Sequence, residues 1–176
     1  RTKKIKSKNY IRMKLSKNFT LAELTKSQTA IRMGLNNNPS EKQIENLKIL
    51  CERLLQPVRD HFGKVVTVSS GFRDLILNRT IGSGDGSQHI MGMAADIEIF
   101  DVPNNELSDW IKENLMYDQL ILEHFDINEG VNSGWVHVSY NPTISLNRKE
   151  YLMASKKNGK LEYKPILGLS TDRYVK

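Results

Sequence analysis

Cysteine is nearly absent from this chain: its 176 residues hold one, Cys51. A single thiol excludes an internal disulfide framework and any zinc cluster built on cysteine. Long apolar runs are missing too. Runs such as the three residues inside Gln119-Leu-Ile-Leu-Glu123 are far too short to span a bilayer. The N-terminus is basic but no apolar core follows it, so no secretory signal peptide is expected. Residues 1–17 carry eight Lys or Arg and no acid. They carry no series of interleaved aromatics for base stacking, so nucleic acid is not an expected partner. Repeats and low-complexity segments are also lacking.

What is present suits one domain. A chain of this length buries roughly 70% of its unfolded surface without staples. With 39% hydrophobic and 26% charged residues it has the composition of an ordinary globule. The net charge of +6 is concentrated at the two ends. A basic end is either a solvated arm or a hold on an anionic polymer. The expected organisation is a basic extension over 1–12, one domain over 13–168 and a tail over 169–176.

Capping signals mark the helices. Thr20 with Glu23 opens a short helix from Leu21 to about Lys26. Ser40 with Gln43 opens a longer one, with a stripe of Ile44, Leu47, Leu50, Cys51, Leu54 and Leu55. Cys51 sits in that stripe and reads as a small core residue. Pro57 is expected to kink this helix before Gly63 stops it after His61. Lys64–Ser69 is β-branched and reads as a strand. Residues 74–88 read as a loop over a site, apart from a turn at Leu75–Asn78. Ala94–Phe100 is a second strand, and Asn104 or Asn105 opens a helix through Leu115. Residues 119–125 and 134–140 are two more strands. A short helix is expected from Arg148 to Ser155, then a turn at Lys156-Lys-Asn-Gly159 between short strands. Helices first and mostly antiparallel strands later define an α+β class.

The chemistry concentrates in Ser87-Gln-His89-Ile-Met-Gly92-Met-Ala-Ala-Asp96. On a helix, His89 and Asp96 would be about 10.5 Å apart in rise, too far to share an ion. On a straight strand they would face opposite ways. They converge only if the chain folds back between them, and Gly92 allows that bend. His137 lies on a strand whose Val136 and Val138 face away from it. Asp96 likewise faces away from Ile97 and Ile99. Two imidazoles and a carboxylate leave a fourth position open, the ligand set of a catalytic zinc site.

The pattern Ser87-x-His89-x-x-Gly92-x-Ala94-x-Asp96 with His137 resembles the M15 zinc peptidases. These include D-alanyl-D-alanine carboxypeptidases and phage endolysin peptidases, and they share a fold with the Hedgehog signalling domain. Asn18–Leu24, Leu55–Arg59, Ser69-Ser-Gly-Phe-Arg73, Asp118–Glu123 and Gly134–Ser139 resemble the phage and prophage branch. The resemblance implies N-terminal helices on a mainly antiparallel sheet, and one Zn2+ held by His89, Asp96 and His137. It implies that Arg73 contacts the substrate, where a permanently charged guanidinium can bond two oxygens. Ser87 is assigned to the His89 loop or to substrate, and Gln119 to substrate or to support.

A metallopeptidase also needs a carboxylate that accepts a proton and returns it to the leaving amine. Many family members carry an acid three positions before the last histidine; here that position is Gly134. Glu123, at the end of the preceding strand, is the candidate base, with Glu129 and Glu98 as alternatives. His61 and His124 read as structural, and Trp135 as packing on the side opposite His137.

The resulting expectation is a monomeric zinc peptidase that hydrolyses amide bonds in peptidoglycan stem peptides, with no nucleic-acid partner and no transmembrane segment. It would act on the bacterial cell wall from a phage virion or the host cytoplasm. The rival expectation is a virion or tail component that keeps the fold for wall binding.

Overall fold

The computed structural model describes residues 12–158 and 160–166. Most of the basic extension, Gly159 of the expected turn and the 169–176 tail lie outside the described residues. Helix α1 spans Leu21–Thr25 and α2 spans Gln28–Met33. The Thr20–Glu23 capping box is formed. Helix α2 was not expected from the sequence; Ser27 caps its start and left-handed Gly34 its end.

Helix α3, Glu41–Leu50, opens on the Ser40–Gln43 capping box. It runs into a π-helical turn at Cys51–Leu55 and then helix α4, Gln56–Phe62, closed by Gly63. The effect expected of Pro57 takes this form. Proline has no N–H to donate, and the wide turn just before it relaxes the ladder where that bond would fall. Leu47, Leu50, Cys51, Leu54, Leu55 and Val58 are all fully buried along this continuous stripe. Burial pushes the Cys51 thiol far up, so it is inert as a nucleophile.

The strands are β1 (Val66–Ser70), β2 (Ala94–Ile99), β3 (Gln119–Glu123), β4 (Trp135–Ser139), β5 (Glu150–Lys157) and β6 (Lys160–Pro165). Helix α5 covers Leu75–Thr80 and α6 covers Asn104–Asn114. The sheet order is β1-β2-β4-β3-β5-β6. Every pairing is antiparallel except β3 with β5. The α+β class and the mainly antiparallel sheet are as expected.

Two local expectations are corrected. Residues 75–80 form a helix rather than a turn in a loop, because the Asp74 carboxylate caps it through the Ile76 N–H. Residues 150–157 are a strand rather than a helix. Leu, Met and Ala favour a helix locally, but the free edge of β3 needs a partner, and parallel pairing with β5 supplies it.

Alternation along the strands gives the sheet two unlike faces. Ala95, Ile97, Leu120, Leu122, Val136 and Val138 are fully buried on the helix side, where Leu107 and Ile111 of α6 also pack. Burial of each Leu or Ile there contributes roughly 1.5–3 kcal/mol. The same pleat turns Asp96, Gln119, Ile121, Glu123, Trp135 and His137 to the other face, where they line a cleft.

Candidate metal centre and cleft

Three side chains meet on the cleft face. His137 Nδ1 lies 2.9 Å from Asp96 Oδ1, and His89 Nε2 lies 3.3 Å from the same oxygen. The two ring nitrogens are 3.3 Å apart. Tetrahedral bonds of about 2.0–2.1 Å separate ligand atoms by about 3.3 Å, so this triangle has the size of one face of a zinc tetrahedron. All three residues are buried, and together they can hold a metal ion.

Each ligand reaches the triangle by a different route. Asp96 and His137 are direct cross-strand partners on β2 and β4, which sets them side by side. His89 comes from the preceding loop, which turns back at Gly92 as the spacing requires. Gly92 has φ +69°, and a Cβ there would meet the Gln43 carbonyl oxygen at 2.6 Å. The bend and the close approach of the loop to α3 therefore both exclude a side chain.

Helix α3 holds that loop. Gln43 donates through Nε2 to the Ile90 carbonyl, and buried Asn46 donates to the Met91 carbonyl, both at 2.8 Å. Gln43 thus completes the capping box with its oxygen and ties the loop with its nitrogen. Gln88, next to His89, donates to Asp118 Oδ2 at 2.7 Å, and Arg148 bonds both oxygens of the same carboxylate. Sequence reasoning missed the supporting role of Gln43 and the roles of Asn46 and Gln88. The signal for Asn46 was a polar residue inside the apolar helix stripe.

The Gly71 carbonyl lies 2.6 Å from His89 Nδ1. With Nδ1–H donating to it, the lone pair of Nε2 points into the triangle. Burial lowers the His89 pKa, keeping the ring neutral as ligation needs. Burial by itself would raise Asp96, but the two imidazoles together outweigh it and hold the carboxyl far below the usual range. Both shifts leave the protonation states that a cation requires.

Glu123 lies beside the triangle, its Oε1 4.0 Å from His137 Nδ1. Burial, and then the Asp96 charge, raise its pKa, with His137 and Arg73 opposing. Arg73 Nη2 is 3.7 Å from Asp96 Oδ2, and its Nε is buried without a partner among the described residues. Its backbone N–H donates to the His89 carbonyl, so it moves with the same loop.

The cleft has a volume of about 800 Å3 and is lined by all seven residues singled out from sequence: Arg73, Ser87, His89, Asp96, Gln119, Glu123 and His137. The Gln119 amide is held by Glu150 at 2.8 Å. The two alternative bases are elsewhere. Glu98 pairs with Thr67 and borders a separate pocket. Glu129 is exposed in the loop after β3. His61 stacks on Trp110 at 4.2 Å, a structural role as expected. Two readings are corrected. Trp135 shares the face of His137, because residues two apart on a strand point the same way, and it lines the cleft. His124 lines it as well: its left-handed backbone, φ +53°, ends the strand's alternation and sets its ring 5.0 Å from that of Trp135.

A buried two-histidine, one-carboxylate triangle beside a glutamate in an open cleft is the kind of side-chain group that metal-dependent hydrolases use. The sequence profile of the Peptidase M15 family matches residues 17–139, which include every one of those groups. The chain belongs to the Peptidase M15 family, whose members are metal-dependent peptidases. No curated protein matches the chain significantly.

Proposed function

We propose that this protein is a zinc peptidase that hydrolyses amide bonds in peptidoglycan stem peptides, as a D,D-carboxypeptidase or an endopeptidase of the phage endolysin type. The observation that carries the reading is the triangle of ligand atoms 2.9–3.3 Å apart with a carboxylate 4.0 Å from one corner.

His89, Asp96 and His137 would hold one Zn2+. When bound, the ion supplies Lewis acidity and lowers the pKa of a water towards 7. Glu123 accepts the proton of the attacking water and returns it to the leaving amine. Its raised pKa suits a group that must both take and give a proton. The Arg73 guanidinium, facing the cleft beside Asp96, stabilises negative charge developing on the substrate carbonyl oxygen. Gln119 and Ser87, which both line the cleft, contact the peptide. The protein works as a monomer on the bacterial cell wall, delivered by a phage virion or from the host cytoplasm.

The test is mass spectrometry of products from a defined peptidoglycan digest, with and without chelator. Chelator-sensitive release of amide-cleaved muropeptides is the expected result. Zinc binding with no muropeptide cut would overturn the reading in favour of a virion or tail component that binds the wall.

A further inference from the structure

The family match ends at residue 139, yet one wall of the cleft lies beyond it. That wall is the β5–β6 hairpin, which contributes Lys156, Leu161 and Tyr163. Sheet register explains how it reaches the site. Trp135 pairs with Glu123, Glu123 with Ala154, and Ala154 with Tyr163, one row across four strands. Cross-strand partners share a face, so all four side chains stand on the cleft side.

Ala154 separates Glu123 from Tyr163 and offers only a buried methyl group. Strands lie about 4.8 Å apart, so the two flanking residues are about 10 Å apart at the backbone. Glu123 and Tyr163 thus flank the buried Ala154, and both line the cleft. Tyr163 is 53% exposed, so its side chain is accessible from the cleft that it lines. Burial, and then the Glu123 charge, raise the phenol, and no hydrogen bond among the described residues enters into that shift. At neutral pH it is a protonated donor facing the cleft.

We infer that Tyr163 is a substrate-binding residue, whose hydroxyl donates a hydrogen bond to a peptide carbonyl of the substrate on the hairpin side of Glu123. This inference rests on the peptidase reading above. It makes the hairpin, outside the family match, the element that grips the peptide after it has crossed the metal position.

The test uses the zinc-loaded full chain, a soluble disaccharide–pentapeptide muropeptide, and Tyr163→Phe, which keeps the ring and loses the donor. Steady-state rates give KM and kcat. Calorimetry on Glu123→Gln, with and without Tyr163→Phe, gives the Kd of the uncleaved muropeptide. Loss of one neutral hydrogen bond should raise KM and Kd about three- to tenfold. The value of kcat, the metal content and the thermal midpoint should stay close to those of the parent protein. Unchanged KM and Kd, or a loss confined to kcat, would overturn the inference while leaving the peptidase reading intact. Absence of cleavage by the unsubstituted protein, of this muropeptide and of cross-linked peptidoglycan alike, would overturn both, and is seen before any variant is compared.

Discussion

Gly134 lies against the backbone of Glu123 so closely that a Cβ on Gly134 would collide with the Glu123 carbonyl oxygen. Gly134 also has φ +66°, a conformation that L side chains rarely adopt. The position where many M15 peptidases carry an acid is therefore closed to one here. The same β3–β4 pairing that closes it brings Glu123 alongside the metal triangle.

Two substitutions test this exchange. Gly134→Asp should not raise activity; it should lower the thermal midpoint, because strain at a left-handed position costs about 1–3 kcal/mol before the collision is counted. Glu123→Gln should reduce kcat about 10²–10⁴-fold while zinc still binds. A Glu123→Gln protein with full activity would remove Glu123 from the chemistry.

Metal should stabilise the fold. A ligand that binds only the folded state at 100 times its Kd adds about 2.7 kcal/mol. In a chain of this size that raises the thermal midpoint by about 5–10 °C. His89→Ala should abolish the zinc-induced rise, measured by calorimetric scanning of metal-free protein with added zinc.

Asn46 does not touch the metal triangle but ties the Met91 carbonyl, between two ligands. Asn46→Leu should leave that carbonyl unpaired at a cost of about 1–3 kcal/mol. It should also weaken zinc about 10- to 100-fold, as loss of outer support does at metal sites. Competition with a chromophoric chelator reads the affinity directly.

Asp118 gives a pH signature away from the metal. Burial would raise its carboxyl, but hydrogen bonds from Arg148 and Gln88 outweigh that and lower it. A carboxylate lowered on folding contributes stability that is present above its unfolded pKa, about 3.9, and is lost as pH falls through the lower folded value. Asp118→Asn should therefore destabilise the protein at neutral pH, and the deficit should shrink below about pH 4. Denaturant midpoints across pH 3 to 7 measure both.

Much of this protein was legible in one dimension. The capping boxes at Thr20 and Ser40, the α3–α4 apolar stripe, and the strands carrying Asp96 and His137 follow from short-range rules of period and capping. The convergence of His89, Asp96 and His137 was legible because Gly92 and strand alternation act locally. Pairing decided the rest. Residues 150–157 favour a helix by themselves and become β5 only because β3 has an open edge. The vacancy at position 134 made sense only once Glu123 was seen packed against it, and Tyr163 reached the cleft only through a register spanning four strands. Local sequence carries the periodicity of each element, whereas which element lies beside which depends on contacts between residues far apart in the chain.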